Sequence, residues 1–183
     1  MRLLVHTCCG PCACYPFSWL AEQGHDSTAF FFNPNIHPYQ EFERRAQGVA
    51  ALADQRGMPV IWAKQYDLDD FLRQVVFREE QRCRICFHIR LLRTAQVARR
   101  GKFDAFTTTL LVSPRQKHDW LRSAGEQAAA ATGVPFFYRD FRPHYRETTA
   151  QSLALGLYRQ SYCGCIYSER DRYAPREKSR AYD

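Results

Sequence analysis

Short apolar runs alternate with longer amphipathic stretches along almost the whole chain. The runs Arg2 to His6, Thr28 to Phe32, Val60 to Ala63, Phe103 to Thr109 and Pro135 to Arg139 are rich in branched or aromatic residues, and each predicts a β-strand. Between them the period lengthens. Tyr39, Phe42, Ala46, Val49, Ala50 and Ala53 fall on one face at helical spacing, with Glu41, Glu43, Arg44 and Arg45 turned away, and Gly57 and Pro59 stop the helix. Trp120, Leu121, Ala124, Ala128 and Ala131 repeat the pattern before Gly133. Strands alternating with such helices make βα units. The expected fold class is therefore α/β, a single Rossmann-like three-layer domain with a mostly parallel sheet of about five strands. It should fill residues 1–174 and leave a polar tail over 175–183. Ligands of such sheets bind beyond the carboxyl ends of the strands, so the loops after His6, Phe32, Ala63, Thr109 and Arg139 are where a site is expected.

Composition narrows the class. A chain of 183 residues, 45% hydrophobic and 14% aromatic, is long enough for one sizeable core and too apolar to be disordered. No run approaches the roughly 20 apolar residues that span a bilayer, and Cys8 and Cys9 arrive before an export signal could form. The expectation is a cytoplasmic protein with no membrane partner. In that compartment ordinary thiols stay reduced, so eight cysteines favour metal binding or redox catalysis over a disulfide framework. The net charge of +7 has a local origin, because residues 81–103 carry seven Lys or Arg and no acidic residue. Such a segment offers a footing for phosphates or, equally, makes a solvated helix face.

The cysteines fall into three groups. Thr7-Cys8-Cys9-Gly10-Pro11-Cys12-Ala13-Cys14 puts up to four sulfurs at the mouth of the first βα turn, where a helix N-terminus favours thiolate over thiol. Cys83-Arg84-Ile85-Cys86 has the spacing at which two sulfurs on a turn reach one metal centre, and it opens a helix expected to bury Ile85, Ile89 and Leu92 and to present Arg90, Arg93 and Arg100 on another face. Four thiolates from these two groups suit iron–sulfur and zinc coordination alike. Cys163-Gly164-Cys165 can close a small, strained and therefore exchangeable disulfide, or it can supply further zinc ligands. No phosphate-binding glycine motif follows the first strand, so nucleotide hydrolysis and dinucleotide binding find no support.

Taken in order, His6-Thr-Cys-Cys-Gly-Pro-Cys12, Asn33-Pro-Asn-Ile-His-Pro38, Cys83-Arg-Ile-Cys86, Thr107-Thr-Thr-Leu-Leu-Val-Ser-Pro114, Tyr138-Arg-Asp-Phe-Arg-Pro143 and Gly156-Leu-Tyr-Arg-Gln-Ser-Tyr-Cys-Gly-Cys165 resemble the cobalamin-independent epoxyqueuosine reductase family over residues 2–173. The resemblance implies the last step of queuosine biosynthesis, reduction of the epoxide of epoxyqueuosine at the anticodon wobble position. The substrate implied is a tRNA with a GUN anticodon carrying epoxyqueuosine, and the reductant an unidentified low-potential electron donor. It further implies a [4Fe-4S] cluster on Cys8, Cys9, Cys83 and Cys86 and a redox-active pair, Cys163 and Cys165. Cys12 also matches, as a ligand of the cluster or of an adjacent mononuclear iron, whereas Cys14 lies outside the pattern. Arg90, Arg93 and Arg100 are the expected phosphate contacts. Asp140 closes the last expected strand at the carboxyl edge and is a candidate ligand or proton donor; His6, His37 and Tyr39 are further polar groups near that edge. Two rivals remain at this point: a zinc–thiolate nucleic-acid-binding module without catalysis, and a thiol–disulfide oxidoreductase acting on proteins.

Overall fold

A computed structural model describes residues 1–175, so all but the first residue of the 175–183 tail lies outside the described residues. Four strands, β1 (Arg2–His6), β2 (Asp26–Phe32), β3 (Val60–Ala63) and β4 (Ala105–Thr108), form one parallel sheet in the order β3-β2-β1-β4. The helices are α1 (Gly10–Glu22), α2 (Tyr39–Arg56), α3 (Leu68–Val75), α4 (Arg82–Arg100), α5 (His118–Thr132), α6 (Tyr145–Ala154) and α7 (Ile166–Tyr173). The α/β class and the parallel three-layer plan stand as expected. The sheet has four strands and not five, because the run Pro135 to Arg139 is reduced to one bridge between Phe106 and Phe136. Pro135 has no N–H to extend the ladder, and its only share in it is a carbonyl that accepts from the Phe106 N–H.

Alternation along the strands sorts the core into two layers. Leu4, Phe30 and Phe106 pack with Phe87, Leu91 and Ala95 of α4 and Leu121, Ala124 and Ala128 of α5. Leu3, Val5, Ala29 and Ala105 point the other way, onto Ala13, Cys14, Phe17 and Leu20 of α1 and Leu52 of α2. Cys14 is thus a core filler on the face opposite α4, with burial raising its thiol to about 11. Among the described residues no helix is long and apolar enough to cross a membrane.

Two helical faces depart from expectation. Glu41 and Arg45 do not turn to solvent; both are buried and paired at 2.7 Å. On α4 the buried stripe is Cys86, Phe87, Arg90, Leu91, Thr94, Ala95 and Ala98, while Ile85, Ile89 and Leu92 are only half-buried. Arg90 consequently faces inward, 1% exposed, and cannot meet a phosphate from there; Arg93 is half-buried and Arg100 exposed.

Candidate metal and redox site

β1 ends at His6, and the chain turns at once into α1, so Cys8, Cys9 and Cys12 occupy one turn at the carboxyl edge of the central strand. Cys9 is the N-cap, its sulfur accepting from the Cys12 N–H at 3.4 Å. The turn is tight because α1 and α2 almost touch: a Cβ on Gly10 would stand 2.4 Å from the Gly48 carbonyl oxygen, so only glycine fits. The three sulfurs lie within 4.8 Å of one another. Neither Cys83 nor Cys86 belongs to that convergent group.

Such a trio cannot hold three thiolates at ordinary pH. Hydrogen bonds from the Cys12 and Cys9 thiols hold Cys8 well below the usual thiol range, helped against desolvation by the Arg90 cation. Burial pushes Cys9 up, and hydrogen bonding to Cys8 and then to Cys9 does the same to Cys12. One buried negative charge shared by three soft donors is an arrangement suited to a thiophilic metal, which would hold the remaining thiols deprotonated.

Arg90 joins the trio to the second group. Its Nε donates to His6 Nε2 (3.1 Å), Nη2 to Asn33 Oδ1 (2.9 Å) and Nη1 to Cys86 Sγ (3.6 Å). His6 Nε2 also lies 3.2 Å from the Phe32 carbonyl, and Nδ1 meets Thr108 Oγ1 at 2.9 Å. Burial first, then Arg90, lowers His6 to about 3, so it is a neutral fixture and no proton donor. No carboxylate pairs with Arg90 among the described residues, so its charge is answered by sulfur. Cys86 is buried, with desolvation lifting its thiol to about 12, and Cys83 is half-buried and raised by the same cause, then by the nearby Cys163.

Cys163 and Cys165 lie on a segment without regular structure before α7. Arg45 Nη1 and Nη2 donate to the carbonyls of Cys163 (2.8 Å) and Tyr162 (3.0 Å), while Glu41 holds the guanidinium and Tyr158 Oη donates to Glu41. The Gly164 carbonyl accepts from the His37 N–H at 2.8 Å. Gly164 has φ +143, and a Cβ there would press on Ile36, Asn35 and Arg45 at 3.1–3.2 Å. Among the described residues all eight cysteines are free; Cys163 is exposed, and Cys165 is buried beside Phe71, Val75 and Cys86. The expected disulfide is absent there, and the two members of the pair have opposite surroundings.

A cavity of about 130 Å³ brings the first and third cysteine groups together. Its lining includes Cys8 and Cys12 from the first motif, Cys163 from the third, and Arg45, Arg115, Gln116 and Arg159. Gln160 Nε2 donates to Cys9 Sγ (3.0 Å) and Cys12 Sγ (3.5 Å), and Gln116 Nε2 to Cys163 Sγ (3.4 Å). The buried Gln160 Oε1 and Thr148 Oγ1, both on residues of this lining, have no partner among the described residues. Sequence reasoning gave Arg45, Gln116 and Gln160 no role, although Gln160 lies inside the Gly156 to Cys165 motif.

The other nominated residues are placed less centrally. Both Asp140 oxygens take up Arg142, at 2.6 Å for the shortest contact, and the arginine lowers its carboxyl to about 2. An acid that strong is ionised near neutrality and donates no proton. Among the described residues it makes no hydrogen bond to a cysteine. His37 is buried, its Nε2 on the Pro34 carbonyl, and Tyr39 is exposed against Phe42 and Tyr66.

A family model described as epoxyqueuosine reductase QueH matches residues 3–171. Three proteins named epoxyqueuosine reductase QueH are similar to this chain. That of Dehalococcoides mccartyi is 38% identical over 172 residues, 94% of either chain. That of Thermotoga maritima is 32% identical over 98% of each. That of Streptococcus pyogenes is 34% identical over 92% of this chain and 70% of its own.

Proposed function

Because the chain belongs to the epoxyqueuosine reductase QueH family of oxidoreductases, we propose that it converts epoxyqueuosine to queuosine at the wobble position of tRNAs with GUN anticodons, in the cytoplasm. The observation that carries the reading is the single cavity lined by Cys8, Cys12 and Cys163, in which sulfurs of a metal-type trio and of a dithiol motif face the same space. When bound on Cys8, Cys9, Cys83 and Cys86, a [4Fe-4S] cluster supplies single electrons and Lewis acidity toward an epoxide oxygen. Cys12 is left as a further ligand of that cluster or of an adjacent mononuclear iron. The Cys8, Cys9 and Cys12 sulfurs fit, being soft and within 4.8 Å of one another, and the buried Arg45 and Arg90 would offset negative charge; half-buried Cys83 and buried Cys86 stand outside that trio and would have to close on it.

The chain's own groups do the rest. The reaction removes the epoxide oxygen as water and consumes two electrons and two protons. Oxidation of the Cys163 and Cys165 thiols to a disulfide releases two of each, so one dithiol balances one deoxygenation, and a low-potential donor then restores the thiols. Arg45 fixes the carbonyls on the cysteine segment, and Gln116 aims its N–H at Cys163. The unpartnered oxygens of Gln160 and Thr148 are acceptors for hydroxyl or N–H groups of the bound nucleoside. Cavity arginines Arg115 and Arg159 offer phosphate contacts beside it.

The test is iron and sulfide analysis of anaerobically purified protein, joined to an assay of epoxyqueuosine loss from tRNA. About four iron and four sulfide per chain with reductant-dependent conversion is the expected result. A colourless zinc protein that binds RNA and converts nothing would overturn the proposal, as would dithiol exchange that survives complete metal removal.

A further inference from the structure

With Arg90 turned inward, the outward positive charge of α4 is left at its two ends, Arg99 and Arg100 in the last turn and Arg84 in the first turns. There, a second cavity of about 520 Å³ opens between α3, α4 and α5, lined by Gln74, Arg78, Arg84, His88, Trp120 and Gln127 among others and by no acidic residue. Two cations converge on one indole: the Arg84 guanidinium lies 4.3 Å and the Lys117 ammonium 4.0 Å from the Trp120 ring centroid. Neither makes an ion pair among the described residues, and Arg78 makes none either. Two unanswered positive charges held this close raise the local potential and favour an anion nearby.

The adjoining loop carries a second signal. Phe77, one residue before Arg78, is 95% exposed and adopts φ +61, a left-handed conformation that disfavours a bulky side chain. A phenylalanine that packs on almost nothing in a strained backbone keeps a ring available to something outside the fold. Interleaved aromatics and unpaired cations are how proteins hold single-stranded nucleic acid, the rings stacking bases and the cations taking phosphates.

The surface adjoins the redox cavity through two short links. Arg84 lies between Cys83 and Cys86, and Lys117 follows Gln116, which lines the redox cavity and bonds Cys163. We propose that this cavity, together with the exposed Phe77 on the loop beside Arg78, is a subsite for anticodon-loop nucleotides that flank the modified one: Phe77 stacks a base, Trp120 seats Arg84 and Lys117, and Arg78, Arg84 and Lys117 take the phosphates. The proposal rests on the tRNA reading above and replaces Arg90, Arg93 and Arg100 as the principal RNA contacts.

Its test is binding of a fluorescently labelled anticodon stem-loop, with an unmodified guanosine at the wobble position, over a range of salt concentrations. The double variant Arg84→Ala/Lys117→Ala should bind at least tenfold more weakly and flatten the slope of log K against log salt by about 1.4, or 0.7 for each contact to single-stranded RNA. Trp120→Ala should bind roughly tenfold more weakly and Trp120→Phe should recover most of that, since any aromatic face seats the two cations. Arg93→Ala/Arg100→Ala should bind as the wild type does. All variants should keep wild-type iron content. Unchanged affinity and slope in Arg84→Ala/Lys117→Ala overturns the subsite, as does an equal loss in Arg93→Ala/Arg100→Ala. The two readings fail separately. A wild-type protein that binds the stem-loop but reduces no epoxyqueuosine tRNA sinks the enzymatic reading alone, whereas full reduction with no effect of these substitutions sinks the subsite alone.

Discussion

Cys8, Cys9 and Cys12 are placed by a strand end and the first turn of a helix, whereas Cys163 and Cys165 hang on an irregular segment fastened by Arg45, His37 and the conformation of Gly164. Cys8 and Cys9 are buried, Cys9 at 1% exposure, while Cys163 is open to solvent. Regular structure packed on the core fixes positions closely but admits few visitors. A loop held by a few hydrogen bonds leaves a thiol within reach of both a substrate and an external reductant. On the proposed reading, a centre that keeps a metal and a pair that is re-reduced in each cycle ask for these opposite settings.

The largest effects should come from the sulfurs themselves. Cys8→Ala and Cys83→Ala are expected to lose most of the iron and the brown colour, whereas Cys163→Ser and Cys165→Ser should keep both and lose multiple-turnover reduction. Anaerobic iron analysis and tRNA nucleoside analysis read the two outcomes separately. Full iron in Cys83→Ala would remove α4 from the ligand set, and bleaching in Cys163→Ser would make that residue a ligand.

A smaller difference is expected between the two buried arginines. Arg90→Met strips the donors from His6 Nε2, Asn33 Oδ1 and Cys86 and removes the cation facing Cys8. Such a change should cost about 3–5 kcal/mol in urea unfolding and lower iron content as well. Arg45→Met releases the Tyr162 and Cys163 carbonyls but leaves Tyr158 on Glu41, so it should lower turnover while most of the iron remains. Equal iron loss in both variants would mean that the two cysteine regions are not independently supported. Smaller again, Gly10→Ala drives a methyl against the Gly48 carbonyl and should cost about 1–3 kcal/mol, with partial iron loss as α1 shifts away from α2.

The regular part of the molecule was readable and the irregular part was not, for the same reason that separates the two regions. Arg2 to His6 coincides with β1, because a parallel strand buried on both faces is a bare apolar run between breakers, and Val60 to Ala63 coincides with β3, whose apolar run survives at the sheet edge although it is only half-buried. Pro135 to Arg139 has that composition too, but one proline without an N–H reduces it to a bridge. Arg90 was misplaced although the signal was present: it shares the helical stripe of Phe87, Leu91, Thr94 and Ala98, and an inward arginine on such a stripe implies a buried anion. The three spaced cysteine motifs were legible locally. The supports of Cys163 were not, since Arg45 and Gln116 reach it from 118 and 47 residues away and no local period encodes that.

The smallest expected effect concerns Asp140, the one acid nominated at the strand edge. Its carboxylate forks onto Arg142 and also accepts that residue's backbone N–H at 3.0 Å, which caps the turn into the residues before α6. Because Arg142 lowers its carboxyl to about 2, from a usual value near 3.8, the pair stabilises the fold fully above the usual carboxylate range and loses that contribution as pH falls through about 2. With the carboxylate 34% and the guanidinium 44% exposed, solvent screening limits the pair to at most about 1 kcal/mol. Asp140→Asn should therefore lower stability by less than about 1 kcal/mol between pH 5 and 8, with the gap from wild type closing below pH 4. Epoxyqueuosine reduction should stay within about twofold of wild type and keep the same pH profile, since a permanently ionised carboxylate donates no proton near neutrality. A collapse of turnover at preserved stability, or loss of one limb of the pH profile, would return Asp140 to the catalytic group and show that the fork with Arg142 opens when substrate binds.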